Sequence, residues 1–530
     1  MKYVLSLLLL VIFQLLITRS SAQRVGIGTA NPAPSAQLDI SSTTRGLLPP
    51  RMTKTERDAI SNPAAGLIIF NNSSSNLEIF DGFYWMPLVK GSTASGSAAV
   101  RKLYGGYDSD YIYSMQPAND GGFFMTGYSR SSNSGTLAGI NNNSIDAEMW
   151  VMKTDAAGNL EWQKLLGGIN ADFAYSINTT SDGGCILAGT STVPSGGIFS
   201  APGYGMVDGL IIKLNAEGGL QWYKLMGGSN SDYLLCIQQT TDGGYIACGY
   251  TTSSNSGTLT GITGAGANEG WIVKMDNAGN VIWQKLLGGT SSETLYAIIQ
   301  TPDGGYLVAG NSMSSNTGTL LGVYNNGAYD IWIIKLDAGG ILQWQKLLGG
   351  SANDNSMGFS GGAVKRTSDG GYIVGAYSSS SNSGTLTGIT NNGLVDLWII
   401  KLDEFGSLQW QKLLGGSEGD YCYAIIQTTD GGYVAAGYSA SSKTGTLSGY
   451  TSNGQSDAWI IKMDNTGNVQ WQKLLGGSSA DIAYSITQIS GGFAVAGHSN
   501  SPGTGYLTAL SGNGGIDGWF FKLDMFGNTY

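Results

Sequence analysis

LEWQKLLGG at residues 160–168 returns with small changes at 220, 281, 342, 408 and 469, carrying Trp162, Trp222, Trp283, Trp344, Trp410 and Trp471 in step. A degenerate copy, VRKLYGG, opens at Val100, and the chain stops at WFFKLDMFGNTY, where another such strand would begin. A repeat of about sixty residues therefore fills the chain seven times from Val100 to Asp524, cut so that the two ends complete each other. A linear stack of repeats has no use for that offset, whereas a closed ring does.

Each repeat carries four strand signals, and the sixth copy shows them plainly. Residues 421–427 form the first, the turn TTDGGY at 428–433 leads to the second at 434–439, and a long Gly/Ser/Thr loop spans 440–456. AWIIKMD at 458–464 follows, then the turn Asp464-Asn465-Thr466-Gly467 returns the chain into VQWQKLLGG. Asp-Gly and Asp-x-x-Gly supply the positive backbone angle that tight hairpins need. Alternation puts Trp459, Ile461 and Met463 on one face and Ile460 and Lys462 on the other. Four antiparallel strands repeated seven times predict an all-β fold, a seven-bladed β-propeller of four-stranded blades. Its last blade combines three C-terminal strands with an N-terminal one at 98–104. The recurring Trp residues read as packing between blades rather than as sugar-stacking platforms, with the Gly-Gly that follows allowing close backbone approach.

The phrase GGS..D..YSI..T.DGGY.VAGYS, visible around 477–499 and 227–251, is similar to the seven-bladed propeller repeats of exported bacterial and archaeal proteins. IIKLDAGGILQWQKLLGG at 333–350 also resembles the strand-turn-strand of quinoprotein propellers, over the blade scaffold only. No quinone- or metal-binding motif accompanies it, so the oxidoreductase activity of those enzymes does not carry over.

Composition bears on destination. Residues 1–22 hold Lys2, an apolar run at 4–17 and the small-residue site Ser20-Ser21-Ala22, the pattern of a signal peptide cleaved before Gln23. No cysteine follows that site and no later stretch is apolar enough to span a membrane, so the expectation is a secreted or cell-surface protein, or a periplasmic one. Charged residues make up 12% and glycine 82 of 530, a balance suited to short strands and turns. A formal net charge of -10 disfavours nucleic acid, and no nucleic-acid partner is expected, because that binding needs a basic face. Cys185, Cys236, Cys248 and Cys422 stand where other repeats carry Ala, Ser, Tyr or Thr and read as small buried thiols. Cys236 and Cys248 lie on two arms of one hairpin, which leaves a cross-strand disulfide as the alternative.

Between the signal and the repeats, residues 23–90 form a separate module. It contains VGIGT at 25–29, LDI at 38–40 and GLLPPRMT at 46–53. A short helix at 54–60 has Thr53 and Glu56 as its capping box, and strand-like runs at 66–70 and 77–80 precede Trp85. The segment resembles a leader module of exported Bacteroidetes proteins, found ahead of repeat, fibre or adhesin-like regions. The resemblance implies a modular extracellular protein and no catalytic role. GSTASGS at 91–97 reads as a flexible linker to the propeller at 98–530.

Strand alternation gathers the tight turns on one rim and the long connections, with nearly all sequence variation, on the other. That loop-rich face carries GTLAG at 135–139, GTLTG at 257 and 384, GTLLG at 318 and GTLSG at 445, whose Leu is expected to tuck against the blade top. Asp110, Asp172, Asp232, Glu293, Asp354, Asp420 and Asp481 precede the innermost strands and are expected to ring the central channel. Asp146, Asp208, Glu269, Asp330, Asp396, Asp457 and Asp517 precede the third strands. Such residues cap their own loops by accepting backbone N–H bonds. Clustered carboxylates also suit calcium, the one cofactor the sequence suggests, although neither an EF-hand spacing nor a calcium nonapeptide is present. The fifth repeat adds residues at 355–361 beside the channel mouth, which makes Asn353, Asp354, Asn355 and Phe359 candidate ligand-binding residues.

No catalytic residues are assigned. The one histidine, His498, stands where the sixth repeat has Tyr438. The G-x-S-x-G match at 358–362 lacks the strand-to-helix elbow and triad histidine that the motif requires. A uniformly repeated carboxylate does not mark a unique acid and nucleophile. The reading is an exported non-catalytic scaffold that binds a glycan, protein or surface through its loop-rich face. The alternative is a secreted carbohydrate-active enzyme with its site at the channel mouth.

Overall fold

The computed structural model describes residues 25–27, 38–44, 46–61, 63–64, 66–72, 76–80, 85–87 and 100–530 except 145, 193–194, 201 and 359–361. Residues 1–22, read as a signal peptide, residues 91–97, read as a linker, and Phe359 lie outside the described residues. The chain divides into two compact units, 1–95 and 96–530.

The larger unit is built of seven antiparallel sheets. Blade one runs outward through Asp110–Pro117, Phe123–Ser129, Glu148–Thr154 and Leu160–Leu166. Blades two, three, four and six repeat this order from Asp172–Thr179, Asp232–Gln239, Glu293–Gln300 and Asp420–Gln427. In blade five the innermost strand is split into Asp354–Asn355 and Val364–Arg366, which pair with the same neighbour. Blade seven joins Asp481–Ile489, Gly492–Ser499 and Asp517–Asp524 to the N-terminal strand Arg101–Tyr104, with Gly518 opposite Tyr104 and Phe521 opposite Arg101. Innermost strands of successive blades touch all the way round, the seventh against the first, so the ring is closed.

Closure changes what strand alternation means. The third strand of blade six, Asp457–Met463, is buried at every residue. Trp459, Ile461 and Met463 enter the core shared with blade five, while Ile460 enters the core shared with blade seven. The two faces expected from the sequence exist, but neither meets water, because a neighbouring sheet covers each. Lys462 lies within this dry sandwich, and its ammonium reaches Asp430 of the TTDGGY turn at 2.8 Å. The same pair recurs as Lys153–Asp120 at 2.7 Å and Lys401–Asp369 at 2.8 Å. The turn aspartate thus serves both the hairpin and a lysine that would otherwise be buried without a counter-charge.

The outer-strand Trp residues do pack between blades, and the glycine that receives each one is specific. Trp344, Trp410 and Trp471 cover Gly406, Gly467 and Gly527 in the next blade's outer turn, where a Cβ would come within 2.6, 2.7 and 2.9 Å of the indole. Blade seven has Val100 at the Trp position. Tyr104 and Phe520 cover Gly158 instead, with the Tyr104 hydroxyl donating to the Gly158 carbonyl at 2.5 Å.

The hairpin register sets Cys236 opposite Cys248, and both are buried free thiols, so the disulfide alternative is not what the structure contains. Burial pushes the Cys185 and Cys422 thiols up to about 12, which keeps them neutral.

The smaller unit pairs Val25–Ile27 in parallel with Leu38–Ile40 and forms a second sheet from Arg51–Met52, Ile68–Asn71, Asn76–Phe80 and Trp85–Pro87. Its helix, Lys54–Asp58, is shorter than expected and ends at Ala59, but its capping box is present: Thr53 N donates to Glu56 Oε2 at 2.8 Å. Glu78 is buried and accepts from Arg57 and Asn71 at 2.8 and 2.9 Å. Among the described residues no helix is long and apolar enough to cross a membrane.

Trp344→Ala empties one of these blade junctions and is expected to cost about 3 kcal/mol. The denaturation midpoint should fall accordingly, and an unchanged midpoint would exclude the docking role.

Candidate functional site: the loop-rich face and the channel

The GTL segments are latches. In Gly135–Leu137 the Leu is buried, the Thr136 amide donates to Gly105 O at 2.8 Å, and Thr136 Oγ1 accepts from Gly105 N at 2.9 Å. Thr385 and Gly349 repeat the arrangement one blade junction after another, at 2.8 and 3.2 Å. Gly135 has φ +54°, and a Cβ there would meet Gly105 O at 2.2 Å, so glycine is required on both counts. A relay from below completes the latch: Trp332 Nε1 donates to Gln345 at 2.9 Å, and Gln345 Nε2 donates to Thr319 O at 2.7 Å. With the GTL backbone committed in this way, contacts fall to other residues of this rim. Tyr107, Ile169, Tyr204, Met206, Leu321, Tyr324 and Leu394 all stand exposed there, Tyr107 at 81% and Leu321 at 75%.

The acidic residues are capping groups, held away from the channel. Asp354 Oδ2 accepts from Gly350 N and Ser380 Oγ at 2.7 Å each, and Ser378 Oγ donates to Oδ1. Asp110, Asp232 and Asp481 each accept from the corresponding glycine amide at 2.7 Å and from a Ser or Thr hydroxyl, and Asp172 and Asp420 accept the same amide bond at 2.7 Å. Glu293, one methylene longer, accepts from Gly289 N and Ser312 Oγ at 2.8 Å each. All seven are buried, so they do not ring an open channel as expected; strand alternation gives the lumen to the next residue along. In the second set, blade one uses Glu148 rather than Asp146. Glu148 is buried, whereas Asp146 is exposed and pairs with Arg130 at 3.0 Å.

Across each of several junctions the two sets meet. Asp330 Oδ1 and Asp354 Oδ2 lie 2.1 and 2.8 Å from the point where a Gly349 Cβ would sit, and Asp396 Oδ1 and Asp420 Oδ2 lie 2.4 and 2.6 Å from that of Gly415. Asp457 with Asp481 and Asp517 with Asp110 repeat this around Gly476 and Gly105. The Oδ1 atoms of Asp330, Asp396, Asp457 and Asp517 are buried without a hydrogen-bond partner among the described residues. Burial, with the facing carboxylate adding to it, pushes Asp330, Asp396 and Asp517 up to about 6 and Glu148 to about 7.

The lumen belongs to aromatic rings. Tyr113 of blade one lies 5.1 Å from Tyr484 of blade seven and 6.0 Å from Tyr175 of blade two, and Tyr423 lies 4.7 Å from Tyr484. Second-strand rings lean on this belt: Tyr128 stacks on Tyr111 at 4.7 Å, and Tyr438 on Tyr421 at 4.7 Å. His498 takes the Tyr438 position, 4.6 Å from Tyr111, and burial pulls its imidazole down to about 3. It is therefore neutral and serves as a ring. This belt was not read from the sequence, although Asp-Tyr-x-Tyr at 110–113 and 420–423 carries the signal.

Blade five interrupts the belt. Asn355 Oδ1 accepts from Asn311 Nδ2 at 2.9 Å and Ser356 N donates to Asn311 Oδ1 at 2.8 Å, which ties the added segment to blade four. Asp354 and Asn355 are therefore held by structural bonds, while Asn353 is exposed and its carbonyl accepts from Ser379 N at 2.9 Å. Gly362 leads into the strand Val364–Arg366 rather than a helix, while residues 359–361 of the G-x-S-x-G match lie outside the described residues.

Compared with known proteins, residues 26–99 match the family described as phage tail like trimerisation region. No curated protein sequence matches the chain. Among solved structures, the WD40 domain of Neurospora crassa Pan2 is 8% identical, with a TM-score of 0.40 over 80% of this chain and 91% of that one. A Dyadobacter fermentans protein of unknown function is 10% identical, with a TM-score of 0.39 over 80% and 98%. A Bacteroides caccae protein of unknown function is 11% identical, with a TM-score of 0.32 over 63% and 92%. None of these likenesses transfers a function to this chain.

The junction carboxylates set a pH dependence. Their folded values lie above the unfolded range of about 4, so the folded state binds more protons between about pH 4 and 6. Their contribution to stability is greatest at the acid end of that window and is lost as pH rises through it. Burial works upward on the turn residues Asp242, Asp303 and Asp369 too, but bonds from the third-strand lysines Lys274, Lys335 and Lys401 hold them down at about 2, so their contribution is lost only on further acidification. Melting temperature should fall from about pH 4 to about pH 7. Asp330→Asn should shallow that slope and raise the melting temperature at neutral pH; an identical profile would remove the junction from the account.

Proposed function

We propose that this chain is an exported, multivalent, non-catalytic binding scaffold. In this reading the N-terminal module gathers copies of the chain, and each propeller offers its loop-rich face to a glycan or protein partner. The observation that carries it is the division of labour on that face. The GTL turns are consumed as latches, yet Tyr204, Met206, Leu321 and Tyr324 are left in solvent on the same rim, where large apolar groups serve recognition.

The assembly step draws on the match of residues 26–99 to the phage tail like trimerisation region. It also draws on the module's own surface: Val25 and Ile27 are 54% exposed, and Leu47 and Leu48 70%. So small a unit presenting this much apolar surface is suited to association with copies of itself. Export rests on the signal-like residues 1–22. Calcium enters the same reading through the junction carboxylates, whose unpartnered oxygens suit a hard cation.

Light scattering on the mature chain should give three copies, and Leu47→Asp with Leu48→Asp should give one copy whose propeller melts as before. A monomeric parent would refute the assembly step. A glycan array and extracellular-protein pull-down, with reducing-sugar release measured in parallel, should give binding without turnover, weakened by Leu321→Asp with Tyr324→Ala. Sugar release would overturn the non-catalytic reading. Calcium should raise the melting temperature of the chelated protein, and an unchanged value would exclude it.

A further inference from the structure

We propose that the propeller channel contains a small-oxyanion site built on Lys365. Its side chain occupies one fixed position of the repeat, opposite Ile373 on the second strand. The equivalent residues are Gln116, Asn178, Gln238, Ile299, Ile426 and Thr487, each opposite the corresponding second-strand residue, so they share one level of the channel. Lys365 is the one charged member of that level.

Of the seven third-strand lysines, six have an aspartate within 2.7–2.8 Å, and the seventh, Lys522, lies over the Phe123 ring with no ion pair to a described residue. Lys365 has neither an ion pair nor a hydrogen bond to any described residue, and the buried Cys236 thiol is its electrostatic neighbour. It lines a cavity of about 140 Å³ together with Gln116 and Thr487, and no carboxylate lines that cavity. Gln116 and Thr487 likewise form no side-chain hydrogen bond with the described residues. An ammonium, amide N–H groups and a hydroxyl are thus left as donors around one space. Such a set recognises an anion with several acceptor oxygens.

Size narrows the class. The cavity has room for about four or five water molecules, enough for phosphate or the carboxylate end of a small molecule. Gly362, just ahead of the strand Val364–Arg366, also lines it. A partly buried ammonium without a counter-charge is costly, and a bound oxyanion offsets that cost. The site is independent of the loop-rich face and of chain assembly.

The test uses the full mature chain and Lys365→Ile, which installs the residue that blades four and six already carry and so preserves the fold. Calorimetric titration with inorganic phosphate and, separately, acetate at matched ionic strength should show one saturable site per propeller, with a matching rise in melting temperature over chloride. Binding by phosphate alone, acetate alone or both identifies which oxyanion the site prefers. Lys365→Ile should weaken binding by about tenfold or more and abolish the rise, while melting no lower than the parent in chloride. Equal binding by parent and variant, or no saturable binding of either anion to the parent, would overturn the proposal.

Discussion

Both faces of every blade are buried against another blade, and only a closed ring gives each sheet two neighbours. Alternate residues of one strand therefore serve two different cores, as Trp459 and Ile460 do, and the third strands are apolar on both sides. The strand Arg101–Tyr104 completes this arrangement. It supplies the outer edge of blade seven, and Tyr104 and Phe520 cover Gly158 where a tryptophan does so elsewhere. Without that pairing the last sheet would present an open edge, and the aromatic side chains of Asp517–Asp524 would lose part of their cover.

Polar groups inside such a ring must find partners within it, and the repeat distributes them with economy. The turn aspartate neutralises the third-strand lysine, the inner-strand carboxylate caps the Gly-Gly entry, and glutamine ties the buried indole to the GTL turn. Because these bonds recur around the ring, they describe the scaffold. Departures from them are more informative. Blade seven puts Arg101 at the glutamine position, where it donates to the Tyr506 carbonyl and leaves Trp519 Nε1 without a partner among the described residues. Blade two replaces the glutamine with Tyr223, whose hydroxyl accepts from Ser200 N at 2.7 Å. Blade five breaks its inner strand and places a lysine on the channel wall.

The architecture was legible because it rests on local chemistry repeated many times. Turn glycines, strand alternation and the permuted ends together point to seven closed blades, and Thr53 with Glu56 marks the helix start in the smaller unit. The candidate site was less legible. Asp146 and Glu148 look alike in sequence as acidic residues ahead of the third strand, and only the strand start at Glu148 shows which one is buried. The carboxylates were expected at the channel because they precede the innermost strands, but their direction depends on which face of the strand turns inward. The same one-residue alternation moved the tyrosines into the lumen.

The sequence by itself determined the class of fold, the number of blades, the place where the ring closes and the packing role of the outer tryptophans. Each follows from spacing along the chain, which the backbone preserves. The tertiary structure alone decided which side chains share a space: Asp330 with Asp354 over Gly349, Tyr113 with Tyr484 across the channel, and Lys365 with Gln116 and Thr487 around one cavity. Those meetings join residues from different blades, and their geometry is set by ring closure and sheet twist rather than by any local pattern.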